Sequence, residues 1–146
     1  MREGWCWLAE MSAASVAAWA RANPAARDAL LALAERAVAL QPAAEAAMQR
    51  CLPGPEQVGG LQDASAARAA YQGLGDHLRA LGLEAAVAAE LAGLLERHLE
   101  ALDRALGGGA AESLGPPAGR LVSARDLLRR TVAIGGRPVS DVTPGV

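Results

Sequence analysis

The chain has 146 residues and a formal net charge of −2, a length that fits one domain with a usable core. Hydrophobic residues make up 52% of it, but alanine and leucine dominate, phenylalanine is absent and every basic residue is arginine. That balance gives no reason to expect nucleic acid or a membrane surface as a partner. Isoleucine occurs once, at Ile134, and four of the few β-branched residues follow position 138, so a sheet has almost nothing to be built from. The composition predicts an all-α fold: a small antiparallel bundle of four to five helices over residues 1–134, with a flexible tail over 135–146.

In chain order, Trp5, Leu8, Ser12, Val16 and Trp19 fall on one face of a first helix ending at Asn23-Pro24. Pro24 suits the first turn of a second helix, whose stripe is Leu30, Leu33, Ala34 and Ala37, with Met48 and Cys51 on its continuation. Pro42 either kinks this helix or stops it near Leu40. Leu52-Pro53-Gly54-Pro55 and Gly59-Gly60 form a connector, and Asp63 or Ser65 is placed to cap a third helix. Gly73 and Gly75 weaken the middle of that helix, and Gly82 marks a turn or a bend.

The clearest amphipathic segment is Leu83–Leu106. Val87, Leu91, Leu94, Leu95, His98, Leu99, Leu102 and Leu106 share one arc, while Glu90, Glu96, Arg97, Glu100, Asp103 and Arg104 take the other side. Gly107-Gly108-Gly109 ends it. Pro116-Pro117 opens a last helix through about Ala133, with Leu121, Ala124, Leu128 and Val132 on one face.

His98 is the most informative single residue, because it interrupts an apolar arc. In a central pocket with Tyr71 and Trp19 it would serve as a ligand or general base. Otherwise it is a core histidine satisfied by a hydrogen bond. A polar cavity around it favours the first reading and tight packing the second. His77 would lie roughly 15 Å further along a bundle built at ~1.5 Å per residue, so the two histidines are not expected to share an ion. Cys6 and Cys51 have no Cys-x-x-Cys spacing and read as two structural thiols. Trp5 and Trp7 face opposite ways on a helix, leaving one of them available to anchor an interface. Arg120 to Arg137 carries five arginines against Asp126; Arg125, Arg129 and Arg130 are candidates for gripping an acidic partner. No phosphate loop, nucleophile elbow or His-Glu-x-x-His occurs, so no catalytic residue, cofactor or metal is expected. The first residues lack an apolar signal core and no run approaches ~18 apolar residues, which predicts a cytoplasmic protein without a membrane span.

Leu94-Leu95-Glu96-Arg97-His98-Leu99-Glu100-Ala101-Leu102, Ala124-Arg125-Asp126-Leu127-Leu128-Arg129-Arg130 and Gly135-Gly136-Arg137-Pro138 together resemble the closing part of bacterial flagellar export chaperones for the hook–filament junction proteins. The likeness spans residues 94 to 138. It implies a helical, cytosolic protein with a Gly-containing flexible end and a protein partner. That family places an Asn pair near the end of its long helix, whereas the only Asn here is Asn23. The resemblance assigns no site residues.

Three functions follow as expectations. The first is a non-catalytic helical protein-interaction module, adaptor- or export-chaperone-like, that binds a partner helix. The second is a small-molecule- or cofactor-binding bundle centred on His98, an enzyme of specialised metabolism in its catalytic form. The third is a structural subunit of a homo-oligomer, such as a homodimer, with the Leu83–Leu106 face shared between chains.

Overall fold

The computed structural model describes residues 13–108 and 114–135, and its described part is all-α. Five helices are present there: α1 (Ala13–Ala22), α2 (Pro24–Gln49), α3 (Gln57–Ala80), α4 (Ala86–Leu106) and α5 (Pro116–Gly135). Trp5, Cys6, Trp7, Leu8 and the tail from 136 lie outside the described residues.

Cross-helix pairs fix the topology. Arg50 meets Asp63 at one end of α2 and α3, and Arg36 meets His77 at the other, so the two run antiparallel. Glu45 accepts from the Leu114 amide while Glu35 accepts from Arg129, which sets α5 antiparallel to α2. A five-residue link returns α3 into α4, and Arg68 on α3 reaches Asp103 on α4. α1 packs mainly on α5.

Local chemistry explains the boundaries. Asn23 separates α1 from α2, and its side-chain amide donates to the Trp19 carbonyl one turn earlier while Pro24 opens α2. Pro42 does not stop α2: the helix continues to Gln49 with the proline on its exposed side. The apolar stripe on both sides of Pro42 explains this, because Leu30, Leu33, Ala34, Ala37, Ala44, Ala47 and Met48 are all buried. A helix docked over that length continues through the proline despite one missing donor.

Two boundaries differ from the sequence reading. α3 begins at Gln57, not at Asp63 or Ser65, and contains Gly59, Gly60, Gly73 and Gly75 without interruption. Asp63 is committed to Arg50 instead of capping. Gly60 allows the early start, because α3 there passes so close to the Arg50 backbone that a Cβ would overlap it. α4 begins at Ala86 and not at Leu83, since residues 83–85 are non-helical, with Ala85 extended, and Gly82, at φ +65°, makes the turn.

The core is continuous across α2, α3, α4 and α5 and is filled by leucine and alanine around Tyr71, Met48 and His98. The arc on α4 is buried from Val87 to Leu102, and Leu106 is half-buried. Glu90, which the helical wheel puts on the solvent side, is buried. It sits at the edge of the arc where α5 crosses, and the Arg120 guanidinium lies 3.8 Å from its carboxylate.

Candidate functional site

His98 lies at the centre of the bundle and is fully buried. Its Nδ1 is 2.7 Å from the Leu94 carbonyl one turn back, and its Nε2 is 3.0 Å from the side-chain nitrogen of Gln41 on α2. A carbonyl can only accept, so Nδ1 carries the proton and Nε2 presents its lone pair to a Gln41 N–H. The second N–H of the same amide donates to the Ala118 carbonyl in the first turn of α5, at 3.2 Å. Both donors of Gln41 are thus spent, one on each neighbouring helix.

Tyr71 of α3 stacks against the imidazole, with ring centroids 5.0 Å apart at 47°. Its hydroxyl donates to the Ala37 carbonyl, one turn before Gln41. One turn after Gln41, the Glu45 carboxylate accepts the Leu114 N–H. Three successive turns of α2 therefore offer a carbonyl, an amide and a carboxylate along one line. The carbonyl fastens α3, the amide both α4 and α5, and the carboxylate Leu114 just ahead of α5. Gln41 and Glu45 went unrecognised in the sequence, although their i, i+4 spacing along the Leu33–Ala37–Ala44 face was a usable signal.

Burial sets the charge states. It lowers the His98 pKa below the ordinary 6.5, against the opposing pull of the Leu94 carbonyl and the Glu45 carboxylate. It raises the Tyr71 pKa well above the ordinary value of 10, and the negative charge of Glu45 adds to that. The pair is neutral and hydrogen-bonded, so it orients helices in its present form. Proton transfer or ligation at Nε2 would first require Gln41 to leave.

The remaining candidates are dispersed. Trp19 is half-buried at one end of the bundle, where it lines a cavity of about 100 Å³ with Val16, Ala85, Ala86 and Val87, away from the His98–Tyr71 pair. His77 is exposed and accepts from Arg36 at 3.3 Å. Cys51 is a buried free thiol donating to the Ala47 carbonyl. On α5, Arg129 holds Glu35 of α2 through two 2.7 Å bonds, which lowers the Glu35 pKa. Arg125 is paired with the adjacent Asp126, and Arg130 is exposed. Trp5 and Trp7 lie outside the described residues.

The surface carries alanine-floored grooves. One, of about 320 Å³, runs between α2 and α3, walled by Leu40 and floored by Ala43, Ala46, Ala66, Ala67 and Ala70. The Arg50–Asp63 pair crosses one end of it. A second, of about 560 Å³, lies at the α3–α4 turn around Leu78, Leu83 and Ala89. Among the described residues, no group of three His, Cys, Asp or Glu side chains is placed to hold a metal ion. No described helix is long and apolar enough to cross a membrane. Comparison with family models, curated proteins and solved structures found no match to this chain.

Proposed function

We propose that the chain is a non-catalytic helical protein-interaction module, adaptor- or export-chaperone-like, that receives an apolar helix of a partner protein in the α2–α3 groove. The observation that supports this is the groove floor: Ala43, Ala46, Ala66, Ala67 and Ala70 expose only methyl groups along adjacent turns of two helices. Small side chains let a third helix approach at the short end of the usual ~8–10 Å interaxial range. Helix-in-groove recognition is read through such i, i+3, i+4 contacts. The sequence resemblance to flagellar export chaperones points to the same class of activity.

The alternative of a ligand pocket around His98 draws less support. Its two ring nitrogens already have partners, and a ligand would have to displace the bond from Gln41.

A photo-crosslinking residue at Ala46 or Ala70 tests the groove directly, with the captured protein identified by mass spectrometry. The expected result is a crosslink to a helical segment of one partner, lost when Ala66→Arg fills the groove of an otherwise folded chain. Capture that is undiminished by Ala66→Arg, or no capture at all, refutes the proposal. A crosslink to a second copy would make the module a homodimer instead.

A further inference from the structure

The Gln41 amide bonds to both α4 and α5 from α2, and its two acceptors differ in kind. The Ala118 carbonyl always accepts. The Nε2 of His98 accepts only while the ring is neutral. We propose that Gln41 is an acid-sensitive latch, which ties the first turn of α5 to the bundle while His98 is neutral and releases it when Nε2 takes up a proton.

The stereochemistry forces this coupling. A protonated ring donates from both nitrogens; Nδ1–H keeps its bond to the Leu94 carbonyl, and Nε2–H then faces the Gln41 N–H, donor against donor. Turning the amide over brings its oxygen to Nε2–H and restores that contact. The same turn sets the oxygen against the Ala118 carbonyl, 3.2 Å from the position the nitrogen now holds. No orientation of one amide serves a charged His98 and Ala118 together. The ring is fully buried, so water does not offer a third partner without movement of a helix. The release falls on the first turn of α5, because Ala118 precedes the buried Leu121, Ala124 and Leu128 that anchor the rest of that helix, whereas His98 sits within the arc of buried leucines on α4.

The groups facing His98 define the setting. Tyr71 comes from α3, and burial keeps its hydroxyl protonated throughout acid titration. Glu45 comes from α2 and favours the charged ring. α5 contributes the uncharged Ala118 carbonyl. Glu45 also holds the Leu114 N–H beside α5, so its own protonation would loosen the same region and has to be separated from that of His98. The inference is independent of the partner helix proposed above.

The test is nuclear magnetic resonance of the isotopically labelled full chain from neutral to about pH 4.5, following the His98 ring nitrogens and the backbone amides of residues 118–124. At neutral pH the ring is expected as the Nδ1–H tautomer. On acidification the α5 amides should shift with the same midpoint as His98, below 6.5, while α3 amides stay unchanged. Exchange protection in the first turns of α5 should fall about fivefold relative to α3, the effect of one lost hydrogen bond. Gln41→Met, of similar length but with neither donor nor carbonyl, should leave the His98 titration in place and remove the α5 step. His98→Gln, which keeps Glu45 and Gln41, should also remove it and covers the case in which Gln41→Met does not fold. An α5 step that persists in His98→Gln assigns it to Glu45 and overturns the proposal. A His98 that stays neutral until the whole chain unfolds also overturns it.

Discussion

Replacing Gly60 by alanine sets two known effects against each other, and the geometry decides between them. Alanine is favoured over glycine inside a helix by about 1 kcal/mol, so helix propensity alone predicts stabilisation. At Gly60, however, the added Cβ would stand 2.6 Å from the Arg50 Cβ, and closer still to the Arg50 carbonyl carbon and oxygen. Carbon atoms in contact prefer about 3.5–4.0 Å. The overlap is with backbone, which has no rotamer to retreat into, so α3 must lift off the end of α2. Overpacking of this kind costs typically about 1–3 kcal/mol, and a forced backbone shift belongs at the upper end. The expected net effect is a loss of about 1–2 kcal/mol after the propensity gain is subtracted. Gly73→Ala in the same helix is the matched control, because its Cβ would meet nothing within 4 Å. It should stabilise by nearly the full propensity difference of about 1 kcal/mol. Urea denaturation followed by far-ultraviolet circular dichroism should then place the two midpoints on opposite sides of the parent, separated by about 1 M at ordinary slopes. A Gly60→Ala chain as stable as Gly73→Ala would refute the close helix approach and the early start of α3 that depends on it.

Leu102→Ala, at a fully buried position on α4, should cost about 2–5 kcal/mol by thermal or urea unfolding, since the neighbouring leucines can only partly collapse into the space. Tyr71→Phe should cost about 0.5–1.5 kcal/mol by the same measurement: the ring contact with His98 survives and only the bond to the Ala37 carbonyl is lost. Stability should also depend on pH through His98. Its folded pKa lies below 6.5, so as pH falls through 6.5 the unfolded chain takes up a proton that the folded chain refuses. The contribution is complete above that pH and is lost at up to about 1.4 kcal/mol per unit until the folded ring titrates. Denaturation midpoints across pH should show this limb in the parent, and a parent curve superimposable on that of His98→Gln would contradict it.

The helices were legible because their signals are local. Pro24, Pro116, Gly82 and Gly107 act on their own turns, and the leucine arc of α4 states its buried face through a period that any one helix carries within itself. Errors arose where a second helix intervenes. Asp63 has the right chemistry for a cap, yet Arg50, thirteen residues earlier, claims its carboxylate. Glu90 belongs to the polar side of an isolated helix, yet α5 crosses over it and brings Arg120. Gly59-Gly60 has the composition of a loop, yet here glycine serves contact between helices, and a sequence does not distinguish absent side chains that bend a chain from absent side chains that let two chains touch.

His98 carries the same lesson into the site. The sequence exposes an anomaly, one titratable ring among leucines, but the meaning of that anomaly depends on what stands beyond Nε2. The partner is Gln41, fifty-seven residues away, which precedes a proline and whose place on the apolar face of α2 does not say which helix it meets. The pairing arises because α2 passes Pro42 unbroken and so keeps Ala37, Gln41 and Glu45 in one line against three other helices. Had the helix ended near Leu40, Gln41 would belong to a loop and the histidine would face open space. The proline that was ambiguous in sequence therefore decides the character of the histidine. A disruption confined to residues 40–44 should accordingly change the His98 tautomer before it changes helix content. Ring-nitrogen shifts in an Ala44→Gly variant would show that order, and loss of helicity ahead of any tautomer change would break the link between the two.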